Sequence, residues 1–431
     1  MQKGIRTTNG PICAKVTIPG AKNISYRALL MASLANGVSE ISGLPINSAI
    51  KTLTNALSQL GIVVQLDEKS QSCIIAGCNG QFPKKQASIW CDNTKILSYY
   101  LTAACIATPG VYYFDGVPAL YKKTVPLLDL LRKHGTQFIP SDTQHMPYTL
   151  VGMDSLNGGE IILDNYAEIS LTSALLIIAP YAFSPFTFTA TTADLINNTN
   201  IDLTCAVMAD FGVLVHRIHQ GQWIVPVPQR YQAKDYVIEP DMGIAAYFFA
   251  AAAITGGEIT IQPIKRLQSK QPSTQFLSLL EKMGCKVFET HEGLTVKASP
   301  SLQGIDVGLR KFSDTFLALS MIAPFAKSPT KISHLGQPTN KEIVRLTAVK
   351  QELSNMGIRV EANNHSIQIF PGVPQGCPIN IYSDHRVTMA FAMLGLKIRG
   401  ITIPDNSSIT HHYPEFFNVL NRLANEININ A

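Results

Sequence analysis

Lys22 and Arg27 stand just ahead of an Ala/Leu-rich run that begins at Ala28, and Asp384, His385 and Arg386 stand ahead of another that begins at Ala390. Cations at the start of a helix oppose the positive end of its dipole. They become favourable there when an anion shares the site, held by the same unpaired backbone N–H groups. A third cluster, Lys341, Glu342 and Arg345, follows Pro338-Thr339-Asn340. On a helix opened by Asn340 these side chains would lie on neighbouring faces. Alone, such a cluster is a surface ion-pair helix that adds little stability. Set at matching junctions, these helix starts can converge on one cleft that takes a small anion. Polar residues also precede the other Ala/Leu-rich runs, as Asp92–Asn93, Glu168–Ser170, Asp241 and Ser313–Asp314. Such residues cap helices, and for Asp241 capping is a sufficient reading.

The elements that must position these residues form a repeat. An Ala/Leu-rich run, a small-residue break and a β-like run recur at Ala28–Leu44, Leu101–Val117, Ala174–Thr191, Ala246–Ile264, Ala318–Leu335 and Ala390–Asn406. The breaks fall near Gly37, Gly110, Ser184, Gly257, Ser328 and Gly400. The period is roughly 72 residues, longer than the roughly 20 to 50 of solenoids. A second run follows five of the six copies and ends at a glycine, as in Leu53–Gly61, Leu127–Gly135 and Phe276–Gly284. Apolar spacing of three and four predicts amphipathic helix, and the glycine suits the left-handed position just past its end. The sixth copy, Phe416–Leu423, lacks the glycine. Each unit reads as strand, helix, strand, helix, strand. Six such units, three per domain, give an α/β (α+β) protein of two domains.

A chain of 431 residues exceeds one compact core. Hydrophobic residues make up 46% and charged residues 15%, which predicts a globular chain with large buried surfaces. The net charge of +5 admits a small acidic substrate, and with no basic run nucleic acid is not an expected partner. No apolar run reaches transmembrane length, and Met1 to Gly10 has no apolar signal core. The expected compartment is the cytoplasm, with no membrane partner. The eight cysteines contain no CxxC pair, which argues against zinc and redox motifs. Cys13, Cys91, Cys105 and Cys285 read as buried thiols.

The motifs resemble those of a known family. Pro19-Gly20-Ala21-Lys22-Asn23-Ile24-Ser25-Tyr26-Arg27-Ala28-Leu29 is similar to the Pro-Gly-Ser-Lys-Ser-x-Ser-x-Arg-Ala-Leu signature of EPSP synthases. Its Gly20-Ala21-Lys22-Asn23 core also matches UDP-N-acetylglucosamine enolpyruvyl transferases. Lys341-Glu342-x-x-Arg345-Leu346 and Tyr382-Ser383-Asp384-His385-Arg386 resemble EPSP synthase motifs that the sister family lacks. The resemblance covers essentially the whole chain. It implies the two-domain inverse α/β barrel of enolpyruvyl transferases, with residues 1–20 and 239–431 in one domain and 21–238 in the other.

The resemblance also implies roles. The enolpyruvyl group of phosphoenolpyruvate would move to a hydroxyl of shikimate 3-phosphate, with release of phosphate. Lys22, Lys123, Arg345, Arg386 and His411 would bind phosphoenolpyruvate. Asn23, Arg27, Ser170, Asp314, Gln337 and Lys341 would bind the acceptor. Asp314 would take the hydroxyl proton, Glu342 with Lys22 would protonate the methylene carbon, and His385 would support the site by hydrogen bonding. Proton transfer and charge stabilisation suffice for this reaction, so no cofactor or metal is expected. The expected state is a monomer.

Several positions depart from the family pattern. Lys95 replaces a glycine, Tyr99 an arginine, and Lys123-Thr124 an Arg-Pro pair whose fork a lysine cannot reproduce. Glu168-Ile169-Ser170 aligns with Ser-Ser-Gln, Asn197-Asn198-Thr199-Asn200 with Ser-Lys-Pro-Tyr, and His411 with a lysine. Three readings follow: an EPSP synthase with a divergent site, an enolpyruvyl transferase with another acceptor, and a non-catalytic relative that binds a small anion or a protein.

Overall fold

The Met242–Thr255 helix has no polar face, and every one of its residues except Ile244 is buried. A helix that is apolar all round must be surrounded by protein. It packs against the Phe316–Ile322 and His385–Gly395 helices, which are likewise buried through nearly their whole length. The Lys22–Leu34 and Lys95–Ile106 helices repeat this pattern in the other half of the chain. Strands instead alternate, as in Val38–Ser42, where Ser39 and Ile41 are buried and Val38 and Glu40 exposed. Such alternation gives a sheet one inward and one solvated face. Buried helices therefore form the interior and the sheets cover them.

The computed structural model describes residues 2–133, 135–163, 169–196, 198–309, 315–333, 340–363, 365–404, 409 and 412–425. It divides into two compact units, Met1–Pro19 with Glu239–Ala431, and Gly20–Ile238. Each is described by itself.

In Gly20–Ile238 the sheet of the second repeat shows the plan. Gln86–Trp90 runs parallel to Gly110–Asp115 across the Lys95–Ile106 helix, with Ser88 opposite Tyr113. Gly110–Asp115 then pairs antiparallel with Tyr148–Gly152, which pairs in turn with Gln137–Ile139. Four other sheets share this order. Each thus carries one strand beyond the expected unit, the last arm of a hairpin. Among its described residues the sixth repeat shows Thr402–Pro404, which pairs with the N-terminal Gln2–Gly4 and is bridged in parallel by Pro378 at Thr402.

Two strands are exchanged between repeats. Cys13–Thr17 precedes the Lys22–Leu34 helix in sequence, yet pairs in parallel with Glu258–Gln262. Tyr236–Val237 precedes the Met242–Thr255 helix, yet pairs in parallel with Val38–Ser42. Each strand lies in the unit opposite to that of the helix it leads into, so the chain passes between units at Pro19–Gly20 and again at Ile238–Glu239.

The second helices end as their glycines require. Gly61, Gly135, Gly212, Gly284 and Gly357 all have φ between +83° and +99°. At the first of these, Ile62 N donates to Leu57 O and Gly61 N to Ser58 O, closing the helix with a left-handed cap. Cys13 corrects one expectation. It is exposed, because Cys13–Thr17 is an edge strand and Cys13 lies on its outward face. Cys91, Cys105 and Cys285 are buried.

Candidate functional site

Lys22 and Lys95 are the first residues of their helices, and neither Ala21 nor Thr94 supplies a side-chain cap. His385 and Arg386 open a third helix. None of the three carries an acidic residue in its first turn. At the first two starts the positive dipole end and a basic side chain coincide without a side-chain cap, an arrangement that favours an anion, whereas at the third Asp384 caps the amides of Arg386 and Val387 beside the basic residues. At the fourth junction Asp241 accepts from Gly243 N and Ile244 N, so it acts as a cap.

Arg27 lies one turn beyond Lys22 and is only 2% exposed. Its Nε donates to Thr204 Oγ1 at 2.8 Å and its Nη1 to Asn23 O at 2.8 Å. Its Nη2 donates to Ser173 Oγ and to Asn200 O, both at 3.3 Å. Burial lowers the pKa of the guanidinium, and the groups that raise it are the Tyr100 hydroxyl and the Cys205 thiol rather than a carboxylate. Burial also raises Tyr100, whose ring lies 5.6 Å from the guanidinium carbon. A buried cation solvated by neutral groups keeps its field available to an anion nearby. Ser170 lies half-buried in the first turn of the Ile169–Ile178 helix, the helix that also carries Ser173.

The same unit brings Lys123 and Asn93 together, with Lys123 Nζ donating to Asn93 Oδ1 at 3.2 Å. Tyr99 Oη donates to Lys123 O at 2.7 Å, and Lys95 Nζ lies 5.4 Å from the Tyr99 ring. Tyr99 therefore ties the Lys95–Ile106 helix to the segment that presents Lys123.

In the Met1–Pro19 and Glu239–Ala431 unit, Asp384 organises the second cluster. Its Oδ1 accepts from Arg386 N at 2.8 Å and from Val387 N at 3.4 Å. Its Oδ2 accepts from Arg345 Nε at 2.8 Å, and the two side chains are only 10% and 14% exposed. Removing one member of so enclosed a pair strands the other charge, at a cost of about 3–5 kcal/mol. Arg345 shares the Asn340–Asn355 helix with Glu342, which is half-buried in the first turn. The His385 and His412 rings lie against each other with centroids 3.8 Å apart and planes tilted by 31°. Tyr382 and Ser383, before the cap, hold φ of 51° and 53°. Each left-handed non-glycine residue costs about 1–3 kcal/mol, strain that surrounding contacts must hold in place.

Asp314, Gln337 and His411 lie outside the described residues, as do Glu168, Asn197 and the side chain of Lys341. Among the described residues no group of three or more His, Cys, Asp or Glu side chains is placed to hold a metal ion. Nor is any described helix long and apolar enough to cross a membrane. Sequence reasoning missed Ser173 and Thr204 as partners of Arg27, and it missed Glu352. The last had a signal, because Glu352 interrupts the apolar stripe of Ala348, Val349, Leu353 and Met356.

The sequence model of EPSP synthase (3-phosphoshikimate 1-carboxyvinyltransferase) matches residues 7–420. A curated 3-phosphoshikimate 1-carboxyvinyltransferase of Nostoc punctiforme is 36% identical over 415 residues, covering 96% of this chain and 97% of the relative. One from Photobacterium profundum is 31% identical over 417 residues, with the same coverage. An EPSP synthase structure from Acinetobacter baumannii superposes with a TM-score of 0.85 at 20% identity, covering 98% of both chains. The enolpyruvyl transferase NikO from Streptomyces tendae gives 0.73 at 16% identity, again over 98% of each.

Proposed function

The chain belongs to the EPSP synthase family, and from that premise we propose that it transfers the enolpyruvyl group of phosphoenolpyruvate to a hydroxyl of shikimate 3-phosphate. The observation that carries this reading is the 36% identity to a curated 3-phosphoshikimate 1-carboxyvinyltransferase over 96% of the chain. The basic helix starts are its chemical counterpart. Lys22, Lys123, Arg345, Arg386 and His411 bind the phosphate and carboxylate of phosphoenolpyruvate. Asn23, Arg27, Ser170, Gln337 and Lys341 hold the acceptor.

The reaction then needs only proton transfer and charge stabilisation. Asp314 takes the proton of the acceptor hydroxyl as its oxygen bonds to C2 of phosphoenolpyruvate. Glu342, assisted by Lys22, delivers a proton to C3, so the methylene becomes a methyl group. The tetrahedral intermediate collapses when the C2–O bond to phosphate breaks and the methyl group loses a proton. His385 supports these groups through hydrogen bonds. The protein acts as a monomer in the cytoplasm, where a reducing environment suits a chain with buried thiols such as Cys91 and Cys105.

Because C3 passes through a methyl group, reaction in heavy water places deuterium in the methylene of the product. Proton NMR of the product reads this directly. Product formed without deuterium at that carbon would refute the addition–elimination route.

A further inference from the structure

We infer that Glu352 and Tyr382 form a positioning pair that holds the 382–384 turn, and through it the first turn of the His385–Gly395 helix. The inference rests on the proposed role of Arg345 and Arg386 in binding phosphoenolpyruvate. Glu352 is 2% exposed. Its Oε1 accepts from Tyr382 Oη at 2.7 Å, while its Oε2 is buried without a hydrogen-bond partner among the described residues. A carboxylate in that position is costly to bury. A residue needed only for packing there would be Leu or Met. The carboxylate gives instead a strong, directional acceptor for the Tyr382 hydroxyl.

The geometry gives that bond a purpose. Arg345 and Glu352 lie about two turns apart on one face of the Asn340–Asn355 helix. That face grips the turn twice, Arg345 holding Asp384 and Glu352 holding Tyr382. Between the grips, Tyr382 and Ser383 sit in the left-handed region without being glycine. Asp384 caps the amides of Arg386 and Val387 only while this turn keeps its shape. Burial, followed by the bond to Glu352, pushes the Tyr382 hydroxyl up to about 12, so the donor stays protonated at neutral pH. Releasing Tyr382 lets the turn relax, and the Arg386 side chain loses its fixed origin.

The test compares wild type with Tyr382→Phe, Glu352→Leu, Glu352→Gln and the Tyr382→Phe/Glu352→Leu double variant. Steady-state kinetics and amide hydrogen exchange are measured on each. Tyr382→Phe and Glu352→Leu should each raise the KM for phosphoenolpyruvate by about 10-fold, the effect of one hydrogen bond to a charged group. The KM for shikimate 3-phosphate should stay near wild type. Exchange at the Arg386 and Val387 amides should accelerate by a similar factor. Glu352→Gln keeps an acceptor oxygen and should leave both readouts near wild type. The double variant should be no worse than either single one, because the two residues act as one device. Unchanged KM and unchanged exchange in both single variants, even with a lowered Tm, would reduce the pair to packing. A wild type without turnover would defeat the proposed function instead, and the exchange comparison, which needs no activity, would still decide the pair.

Discussion

Replacing Arg27 by methionine separates a binding role from a purely internal one. Arg27 makes four hydrogen bonds, two at 2.8 Å and two at 3.3 Å. The short ones are each worth about 1 kcal/mol net, and the long ones less. Their acceptors are not stranded by the change. Thr204 Oγ1 also donates to Asn200 O at 2.8 Å and lies 2.9 Å from Ser173 Oγ. Methionine fills a similar apolar volume, and it removes a charge whose burial already lowers its pKa. Folding stability should therefore fall by only about 1–2 kcal/mol, a Tm decrease of a few degrees. Among the described residues the four bonds use four of the five guanidinium N–H groups, which leaves one on Nη1 for an acceptor substrate. Loss of one charge-assisted bond should raise the KM for shikimate 3-phosphate by about 10- to 100-fold. Thermal unfolding and steady-state kinetics on the same preparation decide it. A stability loss above about 4 kcal/mol with an unchanged acceptor KM would refute the reasoning and make Arg27 an internal staple.

Other expectations concern the fold. A Cβ at Gly20 would lie 2.0 Å from Gly43 O and 2.9 Å from Ile238 Cγ2, so Gly20→Ala should lower the Tm by well over ten degrees or abolish soluble expression; a normal melting curve would show that this junction yields. Stability should fall above pH 9, because burial raises Tyr148, Tyr231 and Cys105 well above their ordinary values of 10.0, 10.0 and 9.0. The unfolded chain then loses these protons first, so their contribution is whole below pH 9 and wanes as pH climbs towards the raised folded values; a Tm flat from pH 9 to 11.5 would contradict it. Cys13 should react with a thiol reagent in the native state, whereas Cys91 and Cys105 should wait for unfolding; equal rates would overturn the assigned burial.

Much of this architecture was legible because its signals are local. The Ala-rich helices carry apolar residues on all faces, and that pattern needs no partner to be read. Gly61, Gly135 and Gly284 end their helices through a backbone conformation that glycine adopts without strain. The last hairpin strand of each sheet was missed, because stretches such as Ile367–Ile369 are too short for a period to register. The exchange of Cys13–Thr17 and Tyr236–Val237 between repeats depends on pairings far apart in sequence. The site divides the same way. The basic residues at helix starts stood out because they oppose the dipole. The partners of Arg27 did not, since Thr204 and Ser173 become its neighbours only when three helices pack. Glu352 breaks an apolar stripe, but the purpose of that break shows only when Tyr382 is placed against it. The divergent Lys95 and Glu168 left another acceptor or a non-catalytic role open, and the relatives give those alternatives no support.

The central claim is transfer from phosphoenolpyruvate to shikimate 3-phosphate, and phosphate release tests it most directly. Purified protein with both substrates should release inorganic phosphate, one for each enolpyruvyl product formed, and should release none when shikimate 3-phosphate is left out. No release with both substrates present, or release at the same rate without shikimate 3-phosphate, would contradict the account.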